Sequence, residues 1–182
     1  MFPFVPYKFF IKEYYSAIIH YNDTLFLIRV KVEHMDSQDK KLLRLLQLDA
    51  SLSVADLADK VAISKSACWR RIQKLEETGV IKQRVTLLDP AKLGLGLTVF
   101  VTVRTNQHNA DWAHNFNQVV QGVEGVLEVY RLGGQIDYLL KAVVADMPGY
   151  DRLYQQLIAA DLFDVTASFV MEEIKTTTAL PI

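Results

Sequence analysis

Apolar positions recur along this chain with two different periods, and the change of period divides it. From Met35 to Gly79 the spacing is helical. Leu42, Leu43, Leu45 and Leu46 form a wide stripe behind Asp36, which predicts a helix capped by Asp36 and running to about Leu48. Residues 49–52 read as a turn. Ser53, with Asp56 three residues on, has the form of a capping box and opens a short helix to about Val61, with Ala55, Leu57, Ala58 and Val61 on its inner side. Ala62 and Ile63 leave room only for a tight turn. Ser64 then caps a third helix, SKSACWRRIQKLEETG, and Gly79 suits the left-handed position just past its end. Cys68, Ile72 and Leu75 share one side of it at i, i+4, i+7 spacing, so that side is expected to be buried.

From Leu97 onward the period switches between two and helical. Leu97, Val99, Val101 and Val103 alternate with Thr98, Phe100, Thr102 and Arg104, which predicts a strand over 97–105. Trp112, Phe116, Val119 and Val120 give a helix over 109–121. A second strand follows at 126–132, a Gly133-Gly134 turn, and a third strand at 137–145. Asp146 caps a helix with Pro148 in its first turn and Tyr150, Leu153, Tyr154 and Leu157 as its stripe. A fourth strand is expected over 165–174. The order βαββαβ predicts a ferredoxin-like antiparallel sheet with both helices on one face. Val126, Val129 and residues 139–144 supply more apolar side chains than one covered face needs, and an uncovered apolar face predicts an oligomer. The whole is therefore α+β: three helices in the helix-turn-helix pattern at 35–88, a Pro- and Gly-containing linker at 89–96, and the sheet domain at 97–182.

The third helix carries the first chemistry. Opposite its buried side lie Ser66, Arg70 and Gln73, with Lys65, Trp69 and Lys74 on the shoulders and Arg71 nearer the core. Guanidinium and amide groups on a helix front match base edges in the major groove of double-stranded DNA. The alternative is a surface helix with an ordinary solvated basic face. Its tight-turn junction to the short helix before it, with a further helix in front, is the helix-turn-helix pattern and favours DNA. Residues 80–88, VIKQRVTLL, are rich in β-branched residues and read as a strand or wing, with Lys82 and Arg84 alternating with Ile81 and Val85 so that their charges can face phosphate. Trp69 has two readings of equal weight, a core residue or a contact to base or sugar.

Charge adds to this picture. The 182 residues carry a formal net charge of only -1. Yet residues 35–88 hold ten Lys and Arg against seven Asp and Glu, and residues 97–182 hold five against ten. A basic part joined to an acidic part suggests one polyanion-binding domain and one domain with another task. The single cysteine excludes an intramolecular disulfide and cysteine-based zinc sites, and fits a reducing compartment. No apolar run is long enough to span a membrane and no signal-peptide pattern is present, so a cytoplasmic location is expected. Residues 1–34 differ in composition: nine of the chain's 19 aromatics lie there, among residues that share A/T-rich codons. Met35 is expected to be the native start, with 1–34 a leader outside the fold; the alternative is a genuine N-terminal helix and strand, the strand at 24–32.

An ordered set of features now points to a family. They are Met35-Asp36, Leu57-Ala58, and Ser64-x-Ser66-x-Cys68-x-Arg70-Arg71-Ile72-x-x-Leu75-Glu76, then Gly79-Val80-Ile81, Leu88-Asp89-Pro90 with Gly94, Gly134-x-x-Asp137-Tyr138, and the ending FVMEEIKTTTALP. Residues 35–182 resemble the Lrp/AsnC (feast/famine) transcriptional regulators. The resemblance implies a winged helix-turn-helix followed by a βαββαβ domain that dimerises, assembles dimers into octamers and binds a small effector, usually an amino acid. Cys68-Trp69 and the TTTALPI end look most like a branch that answers to cysteine. Ala62 in the turn, Gly133-Gly134 in the hairpin and the leader depart from the pattern.

The effector site is expected at the 133–137 turn. Gly133 and Gly134 permit close backbone approach, their N–H groups can take a carboxylate, and Asp137 can hold an ammonium group. The alternative is a plain hairpin whose Asp137 only pins its own turn. The resemblance puts the effector in this region, between neighbouring dimers, with Tyr130, Asp137, Tyr138, Met147, Ser168, Phe169 and Val170 at matching positions. No cofactor or metal is expected: His108 and His114 lie six apart, about 240° around a helix, and cannot share a face. No catalytic constellation is visible, so no enzyme is expected. Cys68 as a redox sensor, its pKa lowered by Arg71, is weighed against a small core residue. A nonspecific DNA-wrapping protein shares the same fold, and an enzyme of amino-acid metabolism is the remote alternative.

Overall fold

The computed structural model describes residues 35–182. The expected leader and the alternative strand at 24–32 lie outside the described residues. Two compact units are present: the described residues up to Lys82 together with Ala179–Ile182, and Gln83–Thr178.

The first unit is built on three capped helices, α1 (Ser37–Leu48), α2 (Val54–Val61) and α3 (Lys65–Glu77). Each begins where a side chain satisfies the otherwise orphaned N–H groups of the first turn. Asp36 accepts from the N–H groups of Gln38 and Asp39 at 2.8 and 2.9 Å, and Asp39 accepts from the Asp36 N–H at 3.2 Å, completing a capping box. Ser53 and Asp56 form a second box. Ser64 Oγ accepts from the Ala67 N–H at 3.2 Å. Behind the caps Leu42, Leu57, Ala58, Val61, Cys68 and Ile72 form one buried cluster, each such side chain contributing roughly 1.5–3 kcal/mol when it is a full-sized aliphatic. Gln47 exchanges two hydrogen bonds with the Leu180 backbone, and Arg44 Nε donates to the Ile182 oxygen at 2.6 Å, so the last residues of the chain belong to this unit.

The α2–α3 turn accounts for the family departure at Ala62. Ala62 is left-handed, at φ 57°, where it ends α2 by donating to Asp59 O. That conformation crowds a Cβ against the following carbonyl and costs an L-residue roughly 1–2 kcal/mol. The side chain is exposed, so removing it sacrifices no packing. Ala62→Gly is expected to stabilise the unit by roughly 0.5–1 kcal/mol after the extra freedom of the unfolded chain is subtracted. Urea unfolding checks it: a midpoint at or below the parent's refutes the strain.

The second unit is a four-stranded antiparallel sheet in the order β2-β3-β1-β4. Its strands are β1 (Leu97–Arg104), β2 (Val126–Arg131), β3 (Tyr138–Val144) and β4 (Asp164–Phe169), and its helices are α4 (Ala110–Gly122) and α5 (Met147–Leu157). Alternation sends Val99, Val101 and Val103 of β1 and Tyr138, Leu140 and Ala142 of β3 to one face. There Trp112, Phe116 and Val120 of α4 and Leu153 and Leu157 of α5 cover them in a single core. Both helices therefore sit on one face, as the βαββαβ order requires.

Three local expectations need correction. Residues 80–88 join no sheet: β-branched composition favours extended backbone, but a strand exists only where a ladder partner is paired. The fourth strand stops at Phe169 rather than 174. Its last ladder pair is Val99↔Phe169, Val170 N–H donates to Thr98 O at 3.0 Å, and β1 itself begins at Leu97, so no partner remains beyond. The open sheet face is less apolar than composition suggested. Val129 pairs with Leu140 on the covered face; the open face carries Phe100, Leu139 and Val143 among Thr98, Thr102, Ser168 and the Glu128–Lys141 and Arg104–Asp164 ion pairs.

Candidate nucleic-acid interface and effector region

Burial of Cys68, Ile72 and Leu75 fixes the rotation of α3 about its own axis. What faces outward follows from 100° per residue. Lys65, Ser66, Trp69, Arg70 and Lys74 are exposed, and Gln73 is half-buried. Trp69 is 53% exposed, which removes the core reading and leaves its ring on the outer surface. One helix face thus offers a guanidinium, an amide, two ammonium groups, a hydroxyl and an aromatic plane. Such a set can donate to guanine and adenine edges and to phosphate. Lys82 and Arg84 are exposed, in a stretch that is neither helix nor strand. Because that stretch is not a strand, alternation does not decide which way their charges face.

Arg71 stands apart from its neighbour. Its Nη1 lies 2.7 Å from Asp36 Oδ2 and 2.6 Å from Asp39 Oδ1. The hydrogen bond Arg71 donates to the Asp39 carboxylate, then the one it donates to Asp36, raises the Arg71 pKa further, while the backbone N–H of Asp39, and then Arg71, hold the Asp36 carboxyl below the usual range. No local sequence signal marks this cluster, since its partners are 32 and 35 positions away. Cys68 is fully buried, and burial pushes its thiol up rather than down. That is a core residue and not an activated thiolate.

The expected effector residues are divided by the sheet. The 133–137 turn lies at the end where β3 begins and β1 finishes. Gly134 has φ 146°, a conformation that favours glycine, and a Cβ there meets nothing within 4 Å, so the backbone stands open. Asp137 is more committed than the zwitterion reading assumed. Its N–H donates to Val103 O at 3.0 Å, its carbonyl accepts from Leu132 N–H at 2.7 Å, and its carboxylate accepts from Thr105 N–H at 2.8 Å. Met147 and Val170 lie at the opposite end of the sheet, about 20 Å away along seven-residue β3. Faces divide the rest. Tyr130 and Ser168 stand on the open face, Tyr130 donating its hydroxyl to Glu128, which in turn pairs with Lys141 at 3.4 Å. Phe169 faces the helices, its ring edge-on to Tyr150 at 5.1 Å. Tyr138 also turns inward, 8% exposed and 4.4 Å from the Phe116 ring, because its position in β3 alternates with the outward-facing Leu139. Its ring therefore packs in the core, leaving little of it exposed to a ligand. An open cleft of 480 Å³ between α4 and edge strand β2, lined by Asn117, Gln121, Val129 and Arg131 with Tyr138 at its wall, had no counterpart in the sequence reading.

Among the described residues no group of three or more His, Cys, Asp or Glu is placed to hold a metal ion, and no helix is long and apolar enough to cross a membrane.

Known proteins share both units. Residues 35–82 match the profile described as winged helix-turn-helix DNA-binding, and residues 98–180 match the one described as Lrp/AsnC ligand binding domain. A glutamate uptake regulatory protein of Zymomonas mobilis is 53% identical over 152 residues, 83% of this chain and 93% of that protein. The crystal structure of an AsnC family transcriptional regulator from Agrobacterium tumefaciens superposes with a TM-score of 0.77 at 51% identity, covering 81% of this chain and 97% of that one. A transcriptional regulator from Neisseria meningitidis, solved as a complex with L-Met, gives a TM-score of 0.77 at 35% identity over 81% of this chain and 96% of its own.

Proposed function

The chain belongs to the Lrp/AsnC family of transcriptional regulators, and from that membership we propose that its α3 reads a specific DNA site under the control of a bound amino acid. It is a DNA-binding regulator and not an enzyme. The observation that carries the sequence-specific reading is the outer face of α3, where Ser66, Trp69, Arg70 and Gln73 project from a helix whose other side is locked into the core. A capped helix with that face needs no rearrangement to enter a major groove.

The amino acid is the effector class because the Neisseria relative is bound to L-Met and shares this chain's second unit. The division of the effector residues supports a site made by more than one copy. The 133–137 turn and the Met147 end cannot meet within one sheet, whereas neighbouring copies can bring two such ends together. Phe100 and Leu139, partly exposed on the uncovered sheet face, fit a homodimer, with assembly of dimers to an octamer as the family resemblance implies, working in the cytoplasm.

A footprint on the promoter of the protein's own gene, followed by titration calorimetry with the standard amino acids, tests the reading. Expected are a dyad-related site with half-sites spaced by helical turns, and one amino acid that shifts DNA affinity by a coupling of about 1–3 kcal/mol. Sequence-tolerant, cooperative coverage refutes specific reading in favour of wrapping. An absence of any amino-acid effect on DNA affinity refutes the effector.

A further inference from the structure

Arg70 and Arg71 are adjacent, yet the fold gives them opposite surroundings. Arg70 is exposed on the outer face of α3. Arg71 keeps a third of its side chain exposed, and a single nitrogen, Nη1, reaches two carboxylates at 2.7 and 2.6 Å. Those carboxylates are the N-cap and third residues of α1, already locked to each other by the capping box. The corner holds two negative charges against one positive, so it does not attract phosphate. α3 packs chiefly on α2, and α1 packs on α2. The Arg71 cluster is therefore a direct polar tie across the third side of the three-helix triangle. It joins the middle of α3 to the first turn of α1.

We propose that Arg71 is a positioning residue for DNA reading. It touches no DNA; by tying α3 to α1 it fixes the angle at which Ser66, Arg70 and Gln73 meet base edges. The reason is geometric. A base contact needs both donor distance and direction, and a bidentate guanidinium loses its match when the helix swings by a small angle. Phosphate contacts from flexible ammonium groups tolerate that swing. Loss of the tie is thus expected to lower discrimination more than overall binding. The inference rests on the reading of α3 as the DNA-contacting helix.

The test uses the full chain, a duplex carrying the footprinted site and a scrambled duplex of equal length, each titrated at several salt concentrations, with circular dichroism confirming that every variant is folded. Arg71→Gln is expected to lower the ratio of specific to scrambled affinity about tenfold, the scale of coupling between contacting residues, with the salt slope unchanged. Asp39→Asn should lower the same ratio, although removing a negative charge near DNA by itself strengthens binding. Arg71→Lys should keep the ratio within about threefold, because one ammonium nitrogen can reach both carboxylates. A salt slope reduced by about one with equal loss on both duplexes makes Arg71 a phosphate contact and overturns the proposal. So does an unchanged ratio in Arg71→Gln. If that variant does not fold, Asp39→Asn decides, and a wild-type ratio there overturns the proposal. A wild-type chain that does not distinguish the duplexes fails the DNA reading itself, and the inference with it, a result separate from any behaviour of the variants.

Discussion

Replacing Phe116 by alanine is expected to destabilise the sheet unit by about 3–5 kcal/mol. Phe116 is 0% exposed and is among the largest fully buried side chains of the unit. It stacks on Trp112, with ring centroids 5.2 Å apart and planes 11° from parallel, and meets Tyr138 at 4.4 Å with a tilt of 44°. The three rings bridge α4 to β3, so truncation leaves a cavity between layers that are each held rigid by backbone hydrogen bonds. The surroundings can relax only partly, and the lost contacts add to the lost transfer energy. Phe116→Leu, which fills most of the volume, should cost less than about 2 kcal/mol. Denaturant unfolding of the full chain at one fixed protein concentration measures both. A loss below about 1.5 kcal/mol for Phe116→Ala, less than the usual range for such truncations, places the core elsewhere.

Whether an element was readable from sequence depended on how far away its partners lay. The helix starts at Asp36, Ser53, Ser64 and Asp146 were readable because each cap and the N–H group it serves are within three residues. The inner face of β1 was readable because burial on one side imposes strict alternation. The end of β4 was not, since Met171 and Ile174 look like strand residues and only the length of β1 decides that they are unpaired. Residues 80–88 failed for the same reason. Pattern shows what backbone a stretch prefers, but not whether another strand is beside it.

The candidate site divides along the same line. The outer face of α3 was legible because helical geometry alone places Ser66 and Arg70 opposite Cys68 and Ile72. The special situation of Arg71 was not, because its partners belong to another helix. Nor could spacing reveal that Asp137 is engaged by the Thr105 N–H, 32 residues away, or that Tyr138 joins the Phe116 cluster. The residues proposed for the effector are the extreme case: they lie at two ends and on two faces of one sheet, and no reading of a single chain brings them together.

Arg70→Ala is expected to cost about 1–3 kcal/mol at the specific DNA site and to relax the preference for the base it reads. Arg70 lies nearly opposite the buried row on α3, so of the basic residues on that helix it projects furthest from the core. A guanidinium there can donate two parallel hydrogen bonds to the O6 and N7 of guanine, and a lysine in its place supplies charge without that planar match. Its removal should therefore weaken the cognate duplex much more than a scrambled one. Lys82→Ala is the contrasting change. Lys82 is exposed past the helix in a stretch that is neither helix nor strand; if its point charge meets phosphate, its loss should weaken all duplexes alike and flatten the salt dependence by about one unit of slope. Fluorescence anisotropy on duplexes varied one base pair at a time, repeated across salt concentrations, separates the two. If Arg70→Ala leaves cognate affinity unchanged, the outer row of α3 does not face the bases, and the helix enters DNA by a different side.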